Sequence, residues 1–150
     1  MQSQNHNIET VNDLIITTID SVDGYREAGE DANSGQFRSV FFDRANERQD
    51  IADQLQEYVR ELGGTPTDAG SLSAGAHRAF MNLRDAVTGT DDKAVVAEVE
   101  RGEDYLKMKF EDALADVDLD GNTRSVISQC YQSVKSGHDQ MSNLKHGLNA

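Results

Sequence analysis

The chain has little of several residue types that mark other classes of protein. Its 150 residues include one cysteine, one proline and no tryptophan. The single cysteine, Cys130, excludes an internal disulfide framework and falls on a helical apolar stripe, as a core residue would. No apolar run approaches the roughly 20 residues of a transmembrane helix, and the polar first residues lack the apolar segment of a secretory signal. These absences predict a cytoplasmic protein without a membrane segment.

Negative charge is what the sequence has in excess. The 27 acidic residues outnumber the 14 lysines and arginines, and the net charge is −13 at pH 7. Such a surface repels nucleic acids and anionic membranes, so neither is expected as a partner. The common residues include Ala, Leu, Gln and Glu, which favour helix. A chain of this length is long enough for one domain with its own core.

Apolar residues recur every three or four positions along four long segments, the spacing typical of amphipathic helices. The predicted long helices cover 8–32, 36–62, 91–116 and 122–148. A shorter helix is predicted over 73–88, and at 1.5 Å per residue it would travel ~24 Å along a bundle. Residues 1–7 are predicted to be a disordered tail, and residues 8–150 a single domain. The predicted fold is all-α: a four-helix bundle of two antiparallel hairpins, joined by a long crossover that contains the short helix.

The segment between the last two long helices resembles half of a calcium-binding loop. Aspartates alternate over residues 116–121, as in the first half of an EF-hand. The bidentate Glu that completes such a site at position twelve is replaced by Ile127. We therefore predict a solvated acidic turn, with Asp120 or Asn122 capping the helix that follows.

Ionisable residues lie on or near the apolar stripes, where a simple bundle would carry leucine or alanine. Glu103 lies on the third long helix's stripe and His138 on the fourth's. At 100° per residue, Arg48 is close to the centre of the second stripe, whereas Asp23 and Glu47 are near stripe edges. Burying such groups is costly unless they are paired or bind a metal. The pattern predicts a polar centre in the bundle.

Several short segments spread over nearly the whole chain carry a family likeness: Gly24-Tyr25-Arg26-Glu27-Ala28-Gly29-Glu30-Asp31, Ala45-Asn46-Glu47-Arg48, Leu62-Gly63-Gly64-Thr65-Pro66, Gly70-Ser71-Leu72, Ala76-His77-Arg78 and His138-Asp139. These segments resemble an uncharacterised bacterial family of ferritin-like four-helix bundles, a domain of unknown function with stress-linked relatives. The resemblance implies the ferritin-like architecture and a metal site, and it implies no particular activity.

The segment Asn46-Glu47-Arg48-Gln49-Asp50 is similar, more distantly, to the Glu-x-x-His motif of rubrerythrins. Such bundles hold two irons with a carboxylate from each of two helices and Glu-x-x-His from each of the other two. The resemblance implies ligands from each helix: Asp20 or Asp23, Glu47 with Asp50, Glu100 or Glu103, and His138. Of these we take Asp23, Glu47, Glu103 and His138 as the candidate metal ligands, because Asp20 and Asp50 point mostly outward. Two positions depart from the motif, because Asp50 replaces its His and Lys135 replaces the Glu three residues before His138.

The favoured interpretation is a non-catalytic bundle without a cofactor. In it Arg48 pairs with Glu103, and His138 with Asp23 or Glu47 extends a buried ion-pair network that replaces a degenerate metal site. The alternative is a carboxylate-bridged protein that binds iron or manganese at the four ligands, with oxidase- or peroxidase-type chemistry. A third interpretation is that these groups line an interface or a small-ligand pocket. Bundles with spare apolar surface often dimerise, so a homodimer is a candidate assembly; the sequence indicates no particular protein partner.

Overall fold

The computed structural model describes residues 2–32, 35–68 and 92–149. Over these ranges the chain forms four α-helices and no strand: α1 Gln2–Asp31, α2 Gly35–Glu61, α3 Asp92–Leu114 and α4 Gly121–Asn149. The prediction of an all-α protein with four long helices is confirmed. None of the described helices is long and apolar enough to cross a membrane. The short helix predicted over 73–88 lies outside the described residues.

The first helix begins earlier than the sequence predicts. A disordered tail is expected over residues 1–7, yet α1 begins at Gln2. Asn7 is only 1% exposed. Its side-chain amide donates to Asp120 Oδ2 at 2.9 Å, and its Oδ1 accepts from the Asp120 backbone N–H at 3.2 Å. Next to it, His6 Nε2 lies 2.6 Å from Asp116 Oδ2. The segment is polar because its side chains bind the turn before α4, and the composition alone cannot distinguish that from a solvated tail.

Contacts between helix ends give the directions of the four helices. α1 packs mainly on α2 and α3 mainly on α4, so the bundle consists of two hairpins. The contact between His6 and Asp116 joins the start of α1 to the end of α3, so these two neighbours are antiparallel. A hydrogen bond of 2.6 Å between the hydroxyls of Tyr58 and Thr123 joins the end of α2 to the start of α4. Consequently α2 and α3 are parallel and occupy opposite corners, so α2 ends at one end of the bundle and α3 begins at the other.

Glycine ends α2 through a Schellman motif. Gly63 has a φ of +84°, in the left-handed region that favours glycine. Its N–H donates to the carbonyl of Arg60, and the N–H of Gly64 donates to that of Val59, each at 3.0 Å. These two bonds satisfy carbonyls that the end of a helix leaves without partners. The helix therefore stops where the Gly-Gly-Thr-Pro sequence predicts.

The acidic turn before α4 is held by local hydrogen bonds. Asp120 Oδ1 accepts from the backbone N–H of Thr123 at 2.8 Å, so Asp120 is the N-cap of α4. Asp116 Oδ1 accepts from the backbone N–H of Asp118 at 2.9 Å. These backbone bonds lower the pKa of Asp120 and of Asp116 below the usual range. Because the second oxygens of both carboxylates face α1, the turn fastens the start of the chain to the end of the bundle.

Two apolar clusters fill the bundle, and a polar layer lies between them. The first cluster, towards the acidic turn, takes residues from all four helices: Val11, Leu14, Ile15, Ile51, Leu55, Tyr58, Val59, Leu106, Phe110, Ala113, Leu119, Ile127, Cys130 and Val134. The second cluster, towards the opposite end of the bundle, also takes residues from all four helices: Tyr25, Ala28, Ala32, Phe37, Phe41, Ala45, Val95, Val96, Val99 and Met141. Between the clusters lie three buried charged side chains, Arg44, Arg48 and Glu103. A functional site inside the bundle would therefore lie in this polar layer.

Replacing Asp120 with alanine should destabilise the protein by about 1 kcal/mol at neutral pH, the usual cost of a lost N-cap. The lowered pKa of Asp120 means that its contribution is complete above the unfolded-state pKa of about 3.9. It is lost as the pH falls through the lower folded-state pKa. Urea unfolding of parent and variant at neutral and strongly acidic pH measures both effects. Asp118→Ala is the matched control, because that exposed side chain caps nothing; an equal loss in the control would contradict the assignment.

Candidate functional site

A bidentate ion pair forms the centre of the polar layer. Arg48 on α2 donates from Nη1 to Glu103 Oε2 at 2.9 Å and from Nη2 to Glu103 Oε1 at 2.6 Å. The side chains are 0% and 1% exposed, respectively. Since α2 and α3 occupy opposite corners of the bundle, the pair spans its centre. The pairing expected from the positions of Arg48 and Glu103 on their stripes is present.

Arg48 stays charged in this pair despite its burial. Burial disfavours the charge of Arg48, but the attraction and hydrogen bonds of Glu103 outweigh it, so the pKa of Arg48 is raised. Tyr25 is fully buried beside the pair. Burial first, and then the charge of Glu103 and hydrogen bonding to it, raise the pKa of Tyr25 well above its usual value. Ser21 Oγ lies 3.4 Å from Arg48 Nη1 and adds an acceptor. The layer therefore holds a cationic guanidinium, a carboxylate and a neutral phenol.

A second buried arginine extends the layer towards α4. Arg44, one turn before Arg48, is 5% exposed. Its Nη1 donates to Glu47 Oε2 at 2.5 Å, and its Nη2 donates to Gln140 on α4. Glu47 Oε1 also accepts a hydrogen bond of 3.2 Å from Ser133 Oγ, again on α4. Arg44 and Glu47 thus connect the two hairpins along the seam between α2 and α4.

A glycine on α4 makes room for both guanidiniums. A Cβ atom added at Gly137 would lie 2.6 Å from Arg48 Nη2 and 2.8 Å from Arg44 Nη1, well inside van der Waals contact. Any larger residue would therefore require one or both guanidiniums to shift. Sequence reasoning missed Gly137, although one signal was available. A glycine weakens the interior of a helix, so its occurrence there indicates a close approach by another group.

Three of the four predicted metal ligands have separate partners. Glu103 binds Arg48, and Glu47 binds Arg44 as described above. The expected link between His138 and this network is absent: His138 Nε2 lies 2.6 Å from Asp104 Oδ1, and its Nδ1 lies 3.5 Å from the carboxylate of its neighbour on α4. The reason is rotational, because consecutive helical residues differ by 100°. Gly137 faces the layer, and His138 therefore faces the seam with α3.

The fourth predicted ligand, Asp23, lies on an exposed part of α1. Partial burial raises its pKa, and the positive charge of Arg26 offsets part of that effect. Among the described residues no group of three or more His, Cys, Asp or Glu side chains is arranged to hold a metal ion. The structure thus gives three of the four side chains different partners and leaves Asp23 exposed, and metal binding by the protein stays a prediction.

Cys130 lies in the first apolar cluster and is 3% exposed. Burial raises the pKa of its thiol to about 11, so the group is neutral at physiological pH. Its Sγ is 3.9 Å from Gln54 Oε1 across the seam between α2 and α4. These properties are those of a core thiol, because reactive cysteines have a lowered pKa and an accessible sulfur.

The fold and the site define a class of protein, an all-α four-helix bundle with an ion-paired centre. A family model described as a domain of unknown function, DUF2383, matches residues 6–116. The chain belongs to this family. No curated protein matches the chain. The matched region contains Arg48 and Glu103 and ends before α4, so Gly137 and His138 lie beyond it.

Replacing Arg48 with methionine should destabilise the protein by about 3–5 kcal/mol at pH 7, because Glu103 would be left as a buried charge without its partner. A carboxyl group that is buried without a cationic partner favours its neutral form, because burial penalises the charge. The loss should then be smaller in mild acid and grow as the pH rises. Denaturant unfolding across this range measures the effect. The control is Arg101→Met, which breaks an exposed pair with Glu98 worth about 0–1 kcal/mol; similar losses at the two sites would refute the assignment.

Replacing Gly137 with alanine should cost about 1–3 kcal/mol, the usual range for overpacking a core. The added methyl group would meet two guanidiniums that their carboxylate partners hold in place. The matched control is Gly121→Ala on the same helix, where no atom lies within 4 Å of the new Cβ. That control should leave the thermal midpoint Tm unchanged or slightly raised. A neutral effect at Gly137, measured by thermal unfolding, would contradict the close packing.

Proposed function

We propose that this chain is a non-catalytic ferritin-like bundle, in which an ion-pair layer takes the place of a degenerate metal centre. The observation that carries the proposal is the bidentate pair between Arg48 and Glu103. A guanidinium neither loses its proton in proteins nor ligates metals. Both oxygens of Glu103 are already hydrogen-bonded to it. The carboxylate best placed to bridge a metal at mid-bundle is therefore bound to an internal cation.

The helix arrangement supports the ferritin-like part of the proposal. Two hairpins with α2 parallel to α3 are the helix arrangement that ferritin-like folds have. The distribution of partners supports the non-catalytic part. Two of the other three candidate ligands, Glu47 and His138, have their own partners, and Asp23 is exposed. In this proposal the protein works in the cytoplasm, through its acidic surface or by self-association. The physiological setting is the stress response to which relatives of the resembled family are linked.

The test is metal binding by the purified protein. Chelator-treated protein should contain much less than one equivalent of metal, and added Fe(II), Mn(II) or Zn(II) should leave its Tm unchanged. A site filled at roughly one hundred times its Kd would add about 2.7 kcal/mol of stability, which a thermal scan detects as a rise of several degrees. Elemental analysis and differential scanning fluorimetry give the two readouts.

Three single variants separate a real site from loose binding to acidic residues. Glu103→Ala and His138→Ala each remove a predicted ligand, and Glu98→Ala removes a carboxylate paired at the surface. Circular dichroism should first establish that each variant is helical. Under the proposal all three hold as little metal as the parent. Stoichiometric metal in the parent and in Glu98→Ala, lost from the other two variants, would establish the carboxylate-bridged metal protein instead.

A further inference from the structure

The polar layer carries positional information beyond that of the apolar clusters. Neighbouring helices in a bundle can slide by one turn, ~5.4 Å, and still present the same face to each other. On α3 such a shift exchanges Val95 with Val99 or Leu106 with Phe110, so apolar meets apolar again. On α4 it exchanges Cys130 with Val134. At these positions the apolar clusters discriminate weakly between alignments of the two hairpins. At others they add to the discrimination, because a shift would bring Glu100 to the place of Val96 or His138 to that of Val134.

On α3, a one-turn shift would destroy the ion pair. The residues four positions from Glu103 are Val99 and Lys107. Valine offers Arg48 no acceptor, and lysine would bring a second positive charge towards it. In either alignment the fully buried guanidinium of Arg48 would lose its carboxylate, a strongly unfavourable arrangement.

On α4, a one-turn shift would fill the space that both arginines need. The residues four positions from Gly137 are Ser133 and Met141. Each has a Cβ atom, and a Cβ at this point would lie 2.6 Å from a nitrogen of Arg48 and 2.8 Å from one of Arg44. The observed alignment is the one in which glycine meets the two guanidiniums. The steric requirement on α4 and the charge requirement on α3 thus select the same register.

We propose that the layer formed by Arg44, Arg48, Glu103 and Gly137 is a register key, which sets how the hairpin of α3 and α4 docks on the hairpin of α1 and α2. Its main contribution is to the uniqueness of the fold, because an apolar pair of similar volume often matches or exceeds the stability of a buried ion pair. A polar group in an apolar seam is known to fix alignment at a cost in stability. The inference stands independently of the proposed function.

The native Cys130 allows the register to be read by cross-linking. Gln54→Cys places a second thiol where a side chain already contacts Cys130. Asp50→Cys and Tyr58→Cys place it one turn to either side on α2. Mild oxidation of dilute protein then measures intramolecular disulfide formation at the three positions. In the parent background the bond to position 54 should form several-fold faster than the other two.

The decisive comparison uses the double variant Arg48→Met with Glu103→Leu as the background for the three cysteine variants. It removes the buried ion pair and leaves apolar side chains of similar size in its place. We expect a helical protein with a Tm within about 5 °C of the parent's or higher. We also expect the several-fold preference for position 54 to disappear, and amide NMR signals along α3 and α4 to double or broaden. The control background is Arg101→Met with Glu98→Leu, the same substitutions in an exposed pair. It should keep the parent's preference.

Three results would count against the proposal. The first is a layer-free variant that keeps both the preference for position 54 and a single set of NMR signals, since the apolar clusters would then set the register alone. The second is a layer-free variant that unfolds by circular dichroism, since the layer would then be a source of stability. A lost preference in the control background as well would also count against it, because the effect would not be specific to the buried pair.

Discussion

The rest of the bundle depends on one requirement: the guanidinium of Arg48 and the carboxylate of Glu103 must meet at its centre. Each charge alone would be costly to bury, and together they form two short hydrogen bonds out of contact with water. The pair joins helices that are not neighbours. The residue at position 137 must then be as small as glycine. The two hairpins must also dock in one register along the bundle axis. A single polar contact therefore constrains all four helices.

The two apolar clusters and the layer have different physical roles. Apolar burial is non-directional, so the clusters stabilise compact states in general. A bidentate pair has a fixed geometry, so it distinguishes one compact state from its neighbours. The second arginine reinforces this division, because Arg44 links α2 to Gln140 and Glu47 links it to Ser133 along the seam between the hairpins. Stability comes mainly from the ends of the bundle, and specificity from its middle.

Sequence periodicity was enough to predict the helices, since the spacing of apolar residues directly determines which face is buried. The stop at Gly63 and the cap at Asp120 were predictable for the same reason, because each signal is local. The pairing of Arg48 with Glu103 was within reach, because both lie near stripe centres. The partners of Asn7 and His138 were not, because they depend on which turn or helix lies opposite, and one sequence contains no distances. For this reason the sequence wrongly predicted that the polar layer extends to His138, whose ring contacts Asp104 instead.

The same geometry bears on the metal-binding alternative. A cation at mid-bundle would compete with Arg48 for the two oxygens of Glu103. To do so, it would have to displace a guanidinium that is fully buried, with Gly137 against it on one side and the buried Tyr25 beside it. The metal would therefore need to separate the hairpins, and its binding free energy would be reduced by the free energy of that opening. For this reason, metal binding at mid-bundle would require a conformation more open than the one observed.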